Sequence, residues 1–534
     1  MWDTPRIRIS WRNADGAPRE AVVREGVPVL GAQADDLGVA VALDGDVCRV
    51  SVEPSVGLEL TCVEATLEPD LAHADALFLN GYNSWTDSWE RPVDARMRGL
   101  HGTPRAVIDR WVLDTSGDYR FVRQDPRPGR QHGIGYGYLR FGERVRLFGE
   151  LDPDSGVTAI YEDLPKGTIA LSKEVPQRTI EAGERVEVLS LALLEGTLDE
   201  AVSRYLTLMG VAARPARPVA GYSSWYRHYG DITEEKLLGD LAGVRDSFAS
   251  LELGGVDLVF QVDDGYATVG DWTAPDAGDF PHGMAHLAGA IREAGMVPGL
   301  WIAPFVCERD SALFSEHPDW LLRDKDGEPV MSGSHWSGGY ALDTLNPEVR
   351  DYVRRVLSMA TREWGFELLK LDFLYAAALV VRGGMNRGEL MADALDLLRE
   401  SVPEGTRFDL CGVPLMSALG RCEYCRIGCD VGLDWDDKLY MHIINRERVC
   451  TKNSLHNTCG RAHLDGRAFR NDPDVFFLRD DVRLTDEQRS RLLEADATLG
   501  GVFFTSDDMG LWSDDQRAAF EAALAKFVAR ADKE

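Results

Sequence analysis

Lys370 and Asp372 stand two residues apart in Leu-Lys-Leu-Asp-Phe-Leu-Tyr (369–375), at the end of an apolar run. A strand repeats every two residues, so the ammonium and the carboxylate project from one face. Opposite charges on the inward face of a strand are costly to bury unless a polar ligand or a reaction uses them; a structural ion pair at a strand end is the plainer alternative. Polar groups recur at the ends of other apolar runs. Asp263 and Asp264 follow 256–262, Trp301 lies in 297–304, and Cys411 and Gly412 end 407–411. Arg426 and Asp430 sit in and after 424–429, Asn471 and Asp472 end 469–471, and Asp507 and Asp508 follow 501–505. Each alone reads as a strand-end cap or turn. Together they outline a carboxylate-rich pocket with aromatic walls. Carboxylates and a lysine fork hydrogen bonds to vicinal hydroxyls, and tryptophan faces stack on the apolar face of a pyranose. Two separate carboxylates are what glycosidic hydrolysis needs: one attacks or activates water, the other protonates the leaving oxygen. No His-Glu-x-x-His, serine elbow or phosphate loop competes for the site.

The elements that must position these groups divide the chain in two. Residues 1–212 read as β-rich: 6–11 alternates as Arg-Ile-Arg-Ile-Ser-Trp, and 39–52, 56–67, 138–147 and 185–194 are similar runs between Gly, Asp and Pro turns. So many short strands suggest a large β-sandwich. A short helix, 198–209, leads to a linker marked by Pro215 and Pro218. From there to residue 534, apolar strands alternate with amphipathic helices. One helix, 233–253, presents Leu237, Leu241, Val244 and Phe248; another begins with Asn346 as N-cap and Pro347 in its first turn and stops at Gly365. Thr485 to Gln488 and Ser513 to Gln516 are capping boxes. The strand candidates are 219–225, 256–262, 297–304, 366–371, 407–411, 424–429, 469–471 and 501–505. Eight strand–helix units predict a (β/α)8 TIM barrel over 213–534, whose chemistry belongs at the C-terminal strand ends. A doubly wound sheet is the alternative, weakened by the absence of a Gly-x-Gly-x-x-Gly or Walker loop.

The chain has 534 residues, 44% hydrophobic and 27% charged, with a formal net charge of −30. That charge argues against nucleic acid or an anionic membrane as partner. The N-terminus has no apolar signal core and no run is long enough to span a bilayer, so the expected location is the cytoplasm. The nine cysteines are an odd number, expected as reduced thiols. Cys422, Cys425 and Cys429 cluster, with Cys450 and Cys459 beyond, but no second close Cys-x-x-Cys pair completes a structural zinc pattern.

Taken in order, the motifs Phe-Gln-Val-Asp-Asp-Gly-Tyr (260–266), Gly-Asp-Trp (270–272), Gly-Leu-Trp-Ile-Ala-Pro-Phe (299–305), Lys-Leu-Asp-Phe (370–373), Cys-Gly-Val-Pro-Leu (411–415), Arg-Ile-Gly-Cys-Asp (426–430) and Asn-Asp-Pro-Asp (471–474) resemble the α-galactosidases of glycoside hydrolase family 36, the melibiases. The resemblance covers the barrel and reaches the first half through Asn-Gly-Tyr-Asn-Ser-Trp (80–85). It implies a sandwich of the supersandwich type before the barrel, and a retaining exo-hydrolase acting by double displacement on a terminal α-galactosyl group of an oligosaccharide or glycoside. Asp372 would be the nucleophile and Asp430 the acid, then the base. Asp263 and Asp264 would hold O4 and O6, and Lys370 would hold O3 and O4. Cys411, Gly412 and Arg426 would lie towards O2. Trp301 would wall the pocket and Trp85 would close it from above. No metal or cofactor is implied, and an oligomer is possible. Chemically, the nucleophile must stay ionised, and Lys370 beside it lowers its pKa; a like charge opposite the acid raises that one.

Three departures matter. Cys429 stands where the family often has proline. Segment 431–437, on the leaving-group side, differs and supplies Asp434 as a rival acid. The C-terminal β-domain common in the family is not expected, because the eighth barrel helix runs to Glu534. Rival readings are an α-N-acetylgalactosaminidase, for which Gly412 could leave room at O2, a raffinose-synthase-like galactosyl transferase, and a non-catalytic sugar-binding homologue.

Overall fold

The computed structural model describes residues 2, 4–24, 27–29, 36–436 and 446–533. Two antiparallel sheets fill the first part of the chain. The seven-stranded sheet runs Val27–Val29, Pro18–Arg24, Arg6–Asn13, Leu58–Leu67, Thr168–Lys173, Thr158–Asp163, His132–Ile134. The six-stranded one runs Leu37–Asp44, Val47–Pro54, Val186–Thr197, Arg144–Glu150, Tyr136–Phe141, Ala76–Leu79. In Arg6–Asn13 the alternation buries Ile7, Ile9 and Trp11. These meet Val63 and Leu171 of their own sheet and Val50, Leu191 and Phe148 of the other in one shared core. The runs 39–52 and 138–147 are hairpins rather than single strands, reversing at Gly45 (φ 58°) and Gly142 (φ 60°). Glycine takes this left-handed backbone without the Cβ clash other residues suffer, so an apolar run can hide a turn of one or two polar residues.

The second part holds a curled parallel sheet: β1 (Val219–Ser223), β2 (Asp257–Val262), β3 (Val297–Ile302), β4 (Leu368–Leu371), β5 (Arg407–Leu410), β6 (Tyr424–Arg426), β7 (Arg470–Asp472) and β8 (Val502–Thr505). The order is β7-β6-β5-β4-β3-β2-β1-β8, with the short strand Val475–Phe476 on the outer edge of β8. That strand follows β7 after only Pro473 and Asp474, so two residues of chain join the edges of the sheet. The domain is TIM-like, and all eight strands match the expected positions within a few residues. β1, β4 and β8 are buried along their whole length, as befits strands covered on both faces.

The caps fall where expected. Thr233 starts Glu234–Phe248, Asn346 starts Pro347–Ser358, and capping boxes at Thr485 and Ser513 start Asp486–Leu499 and Asp514–Ala531. Two features carry no periodic signal in the sequence. One is helix Arg105–Trp111, inside a long irregular excursion from the six-stranded sheet. The other is a small sheet, Val306–Glu308, Gly339–Ala341, Met331–Gly333, built into the connection after β3. Both end up over the strand ends. Among the described residues no helix is long and apolar enough to cross a membrane.

Candidate active site

A cavity of about 820 Å³ opens at the C-terminal ends of the parallel strands. Asp263, Asp264, Trp301, Lys370, Asp372 and Asp430 all line it, and Trp85 reaches it from the first part of the chain. Parallel pairing sets Trp301 of β3 beside Lys370 of β4. One residue past β4, the Asp372 carboxylate accepts the Trp301 indole N–H at Oδ2 (3.1 Å) and the Phe373 amide at Oδ1 (2.7 Å). Phe373 itself sits at φ 54°, a strained backbone for an aromatic residue, as is common beside reacting groups.

Lys370 gives its ammonium to Asp263 rather than to Asp372, with Nζ 2.9 Å from Oδ2. The same oxygen accepts Gln261 Nε2 at 3.0 Å, and the Asp263 amide donates to Ser224 Oγ at 2.9 Å, which fixes this carboxylate rigidly. Asp264 accepts the Trp336 indole N–H at 2.7 Å. Burial, helped by the Asp263 charge, pushes Asp264 up to about 7. Burial also raises Asp372, against the opposing pull of Lys370 and the Trp301 N–H. The expected lowering by Lys370 is present, but the carboxyl as a whole is raised rather than kept low. Desolvation of a fully buried carboxyl outweighs the lysine.

Asp430 is the more open acid, its side chain 38% exposed against 7% for Asp372 as a residue. Its Oδ1 accepts Arg426 Nη2 at 2.8 Å. Arg426 is buried and also pairs with Asp474 at 2.6 Å, so the guanidinium clamps Asp430 from behind the wall. Cys411 stands behind the wall too: its sulfur accepts the Trp85 indole N–H at 3.2 Å. Gly412, at φ 54°, leaves no space: a Cβ there would lie 2.9 Å from Trp85 Cζ2 and 3.0 Å from Asp372 Oδ1. Thus Cys411, Gly412 and Arg426 back the site, whereas the other sequence candidates face into it. Asp434 is turned elsewhere, towards Arg483 at 3.6 Å, and is not among the lining residues. Cys422, Cys425 and Cys429 are buried, Cys429 bonded to the Arg448 carbonyl. Among the described residues one group, Glu234, His282 and His286, has donor atoms close enough to share an ion. It lies outside the cavity, and Glu234 already accepts His282 Nδ1 at 2.7 Å and the His282 amide at 3.1 Å.

A melibiase family model matches residues 209–382. An α-galactosidase from Thermus thermophilus, solved in complex with p-nitrophenyl α-D-galactopyranoside, is 30% identical, with TM-score 0.71, over 91% of this chain and 94% of that one. The chain belongs to the melibiase family, the α-galactosidases of glycoside hydrolase family 36. The family enzyme AgaA from Geobacillus stearothermophilus shares the fold at TM-score 0.64 over 98% of this chain and 75% of that one, at 16% identity. An A type blood α-D-galactosamine galactosaminidase from Flavonifractor plautii is 33% identical over 138 residues, 24% of this chain and 12% of that protein. The alignments with the curated relatives span less than a quarter of those proteins' lengths, between 12% and 22%.

The melibiase site contains side chains that sequence patterns did not single out. Trp336 lies in Ser-Gly-Ser-His-Trp (332–336), a stretch without periodicity, and only the small sheet after β3 brings it to Asp264. Asp474 lies at φ 88° in the bend between β7 and the following strand, where it takes Arg426, the Val431 amide (2.9 Å) and the Tyr226 hydroxyl. The doubled aspartate in Asn-Asp-Pro-Asp was its one available signal.

Proposed function

We propose that this melibiase is a retaining exo-α-galactosidase that releases terminal α-D-galactose from oligosaccharides or other glycosides by double displacement. The observation that carries this is the convergence of Asp372 and Asp430 on one cavity whose floor also holds the Lys370–Asp263 pair and Asp264. In this reading the parallel sheet is a (β/α)8 barrel over 213–534, following a supersandwich over 1–212. Asp372, held at both oxygens, attacks the anomeric carbon. The positive charge developing on the sugar ring favours the ionised carboxylate and offsets the burial that raises it in the empty cavity. Asp430, more open and clamped by Arg426, protonates the leaving oxygen and then activates water. Asp263, Asp264 and Lys370 bind the O3, O4 and O6 side. A glucoside, equatorial at O4, would leave buried carboxylates without partners, which supports galactose selectivity.

The galactosaminidase relative suggests N-acetylgalactosamine as a second substrate. Trp85 filling the space beside Gly412 argues for galactose, since an acetamido group at O2 would need that space. The test is turnover of aryl α-galactoside followed by proton NMR. The first product should be α-galactose, with the α-glucoside and α-N-acetylgalactosaminide each at least ~100-fold poorer in kcat/KM. Asp372→Ala should lose several orders of magnitude while keeping its circular dichroism. Release of β-galactose first would replace double displacement with direct inversion. Retention of a tenth of the rate by Asp372→Ala would remove that residue from the nucleophile's role.

A further inference from the structure

The cavity is polar at one end only. Its volume suits a drug-sized molecule rather than a single pyranose. The acids and Lys370 account for the inner end. The outer end is walled by Val107, Trp111, Val112 and Leu113 from the first part of the chain, and by Val449 across from them. Val107 is 40% exposed, Trp111 55% and Val449 44%. These three are among only eight large hydrophobic residues exposed in the described chain, and they gather on one rim. Scattered apolar residues on a surface need no explanation, but a cluster continuous with a reactive cavity marks a binding surface.

Two more observations point the same way. Val112 ends helix Arg105–Trp111 in the left-handed conformation, φ 51° and ψ 43°. Glycine or asparagine is the low-strain choice there, and a β-branched residue is a genuine outlier. The strain is carried by a residue that lines the cavity. Two of the polar side chains on this side, Thr115 and Glu447, are already engaged. Thr115 donates its hydroxyl to the Ser332 carbonyl at 2.7 Å. Glu447 accepts the Thr86 hydroxyl at 2.5 Å with one oxygen and the Tyr119 hydroxyl at 2.9 Å with the other. A second sugar placed here would bury hydroxyls with few partners, whereas an apolar group would not. The wall is preformed, pinned by Thr115 to Ser332 and by Asn83 Nδ2 to the Ser116 carbonyl at 2.8 Å.

We propose that the outer half of the cavity is a subsite for an apolar aglycone, an alkyl chain or aryl ring, seated between Val107, Trp111 and Val449, so that the substrates are α-galactosides of apolar alcohols or phenols. The proposal rests on the galactosidase reading of the inner half. Calorimetric binding to the inactive Asp372→Asn variant separates the two. Hexyl and phenyl α-D-galactopyranoside should each bind at least ~10-fold tighter than the methyl glycoside, since every buried methylene strengthens association several-fold. The hexyl and phenyl arms show whether a chain or a ring fits better. The double variant Val107→Ser, Trp111→Ser in the same background should bring the hexyl-to-methyl ratio below about 3. Both positions are solvent-exposed, so circular dichroism should stay unchanged. Equal affinity for hexyl and methyl glycosides, or tighter binding of raffinose than of either apolar glycoside, overturns the subsite while the methyl glycoside still binds. Failure of every galactoside to bind overturns the galactosidase reading and the subsite with it.

Discussion

Asp264 is a buried carboxyl that accepts the Trp336 indole N–H and the Gly265 amide, with a like charge beside it at Asp263. Its ordinary value is 3.8, and in the fold it is pushed up to about 7, by burial first. Between those values the native state holds a proton that the unfolded chain releases. The stability this group contributes is therefore complete below pH ~4 and is lost as pH rises through 7. Asp264→Asn removes the titration. In urea melts of the ligand-free protein, wild type should lose stability relative to Asp264→Asn by on the order of 1–3 kcal/mol between pH 4 and 7, and the gap should be flat above about 8. A gap that does not change with pH, or that closes as pH rises, would show Asp264 already ionised in the empty site. The same energetics suit recognition. A galactose hydroxyl gives this carboxylate a further donor, so ligand binding should favour its ionised form.

At the scale of elements, the segment Asn80–Trp85 fixes one wall of the site. It is stitched to the connection after β5 by the Ser84 amide to the Val413 carbonyl (2.8 Å) and the Leu415 amide to the Tyr82 carbonyl (2.9 Å). Trp85 then lies edge-on to Phe373 at 5.2 Å and to Tyr375 at 5.7 Å. Gly412 is what lets the indole and the Asp372 carboxylate come together. Gly412→Ala should lower kcat/KM by at least ~10-fold and stability by about 1–3 kcal/mol, combining left-handed strain with the clash. Gly405 (φ 89°) is the control, since a Cβ there meets nothing within 4 Å. Gly405→Ala should cost stability through strain alone and keep full activity. Equal activity in the two variants would mean that Trp85 yields to a methyl group without disturbing Asp372. The contrast also shows what the sequence could carry. Strands β1 to β8 were legible as apolar runs, and helix starts as caps, because both signals are local. The meeting of Gly412, Trp85 and Asp372 was not legible, because residues 85 and 412 come together only when the two parts of the chain dock. Helix Arg105–Trp111 and Trp336 were missed for the same reason: the contacts that place them are tertiary. Lys370 was found, but its partner was misjudged, because the spacing of Lys370 and Asp372 says nothing of Asp263 on the strand two positions away in the sheet.

Across the whole molecule, Arg461 is one of the buried cations that join the two parts. Arg461 follows helix Thr451–Gly460 and is fully buried. Its guanidinium donates to Asn80 Oδ1 at 3.0 Å and to the Asn83 and Ser84 carbonyls, and on the other side to the Ile427 carbonyl at 2.9 Å. No carboxylate is among these hydrogen-bond partners, and burial pulls its pKa down to about 10, so neutral oxygens alone solvate the charge. The same side chain therefore holds the Asn80–Trp85 segment on the barrel side and steadies Ile427, between Arg426 and the catalytic candidate Asp430. Such a device links stability to activity. Arg461→Met keeps the bulk but takes the donor from Asn80 Oδ1 and from the Ser84 and Ile427 carbonyls, which should cost about 3–5 kcal/mol. Calorimetry should show one transition for wild type, with the two parts unfolding together. In the variant that transition should fall sharply or split as the first part releases the barrel. Below the new transition, the variant should still turn over more slowly than wild type, because Trp85 and Asp430 are both positioned through this residue. An unchanged melting profile would mean that the docking of the two parts rests on their other contacts. Unchanged turnover at a lowered melting temperature would separate Arg461 from the site and leave it a purely structural bridge.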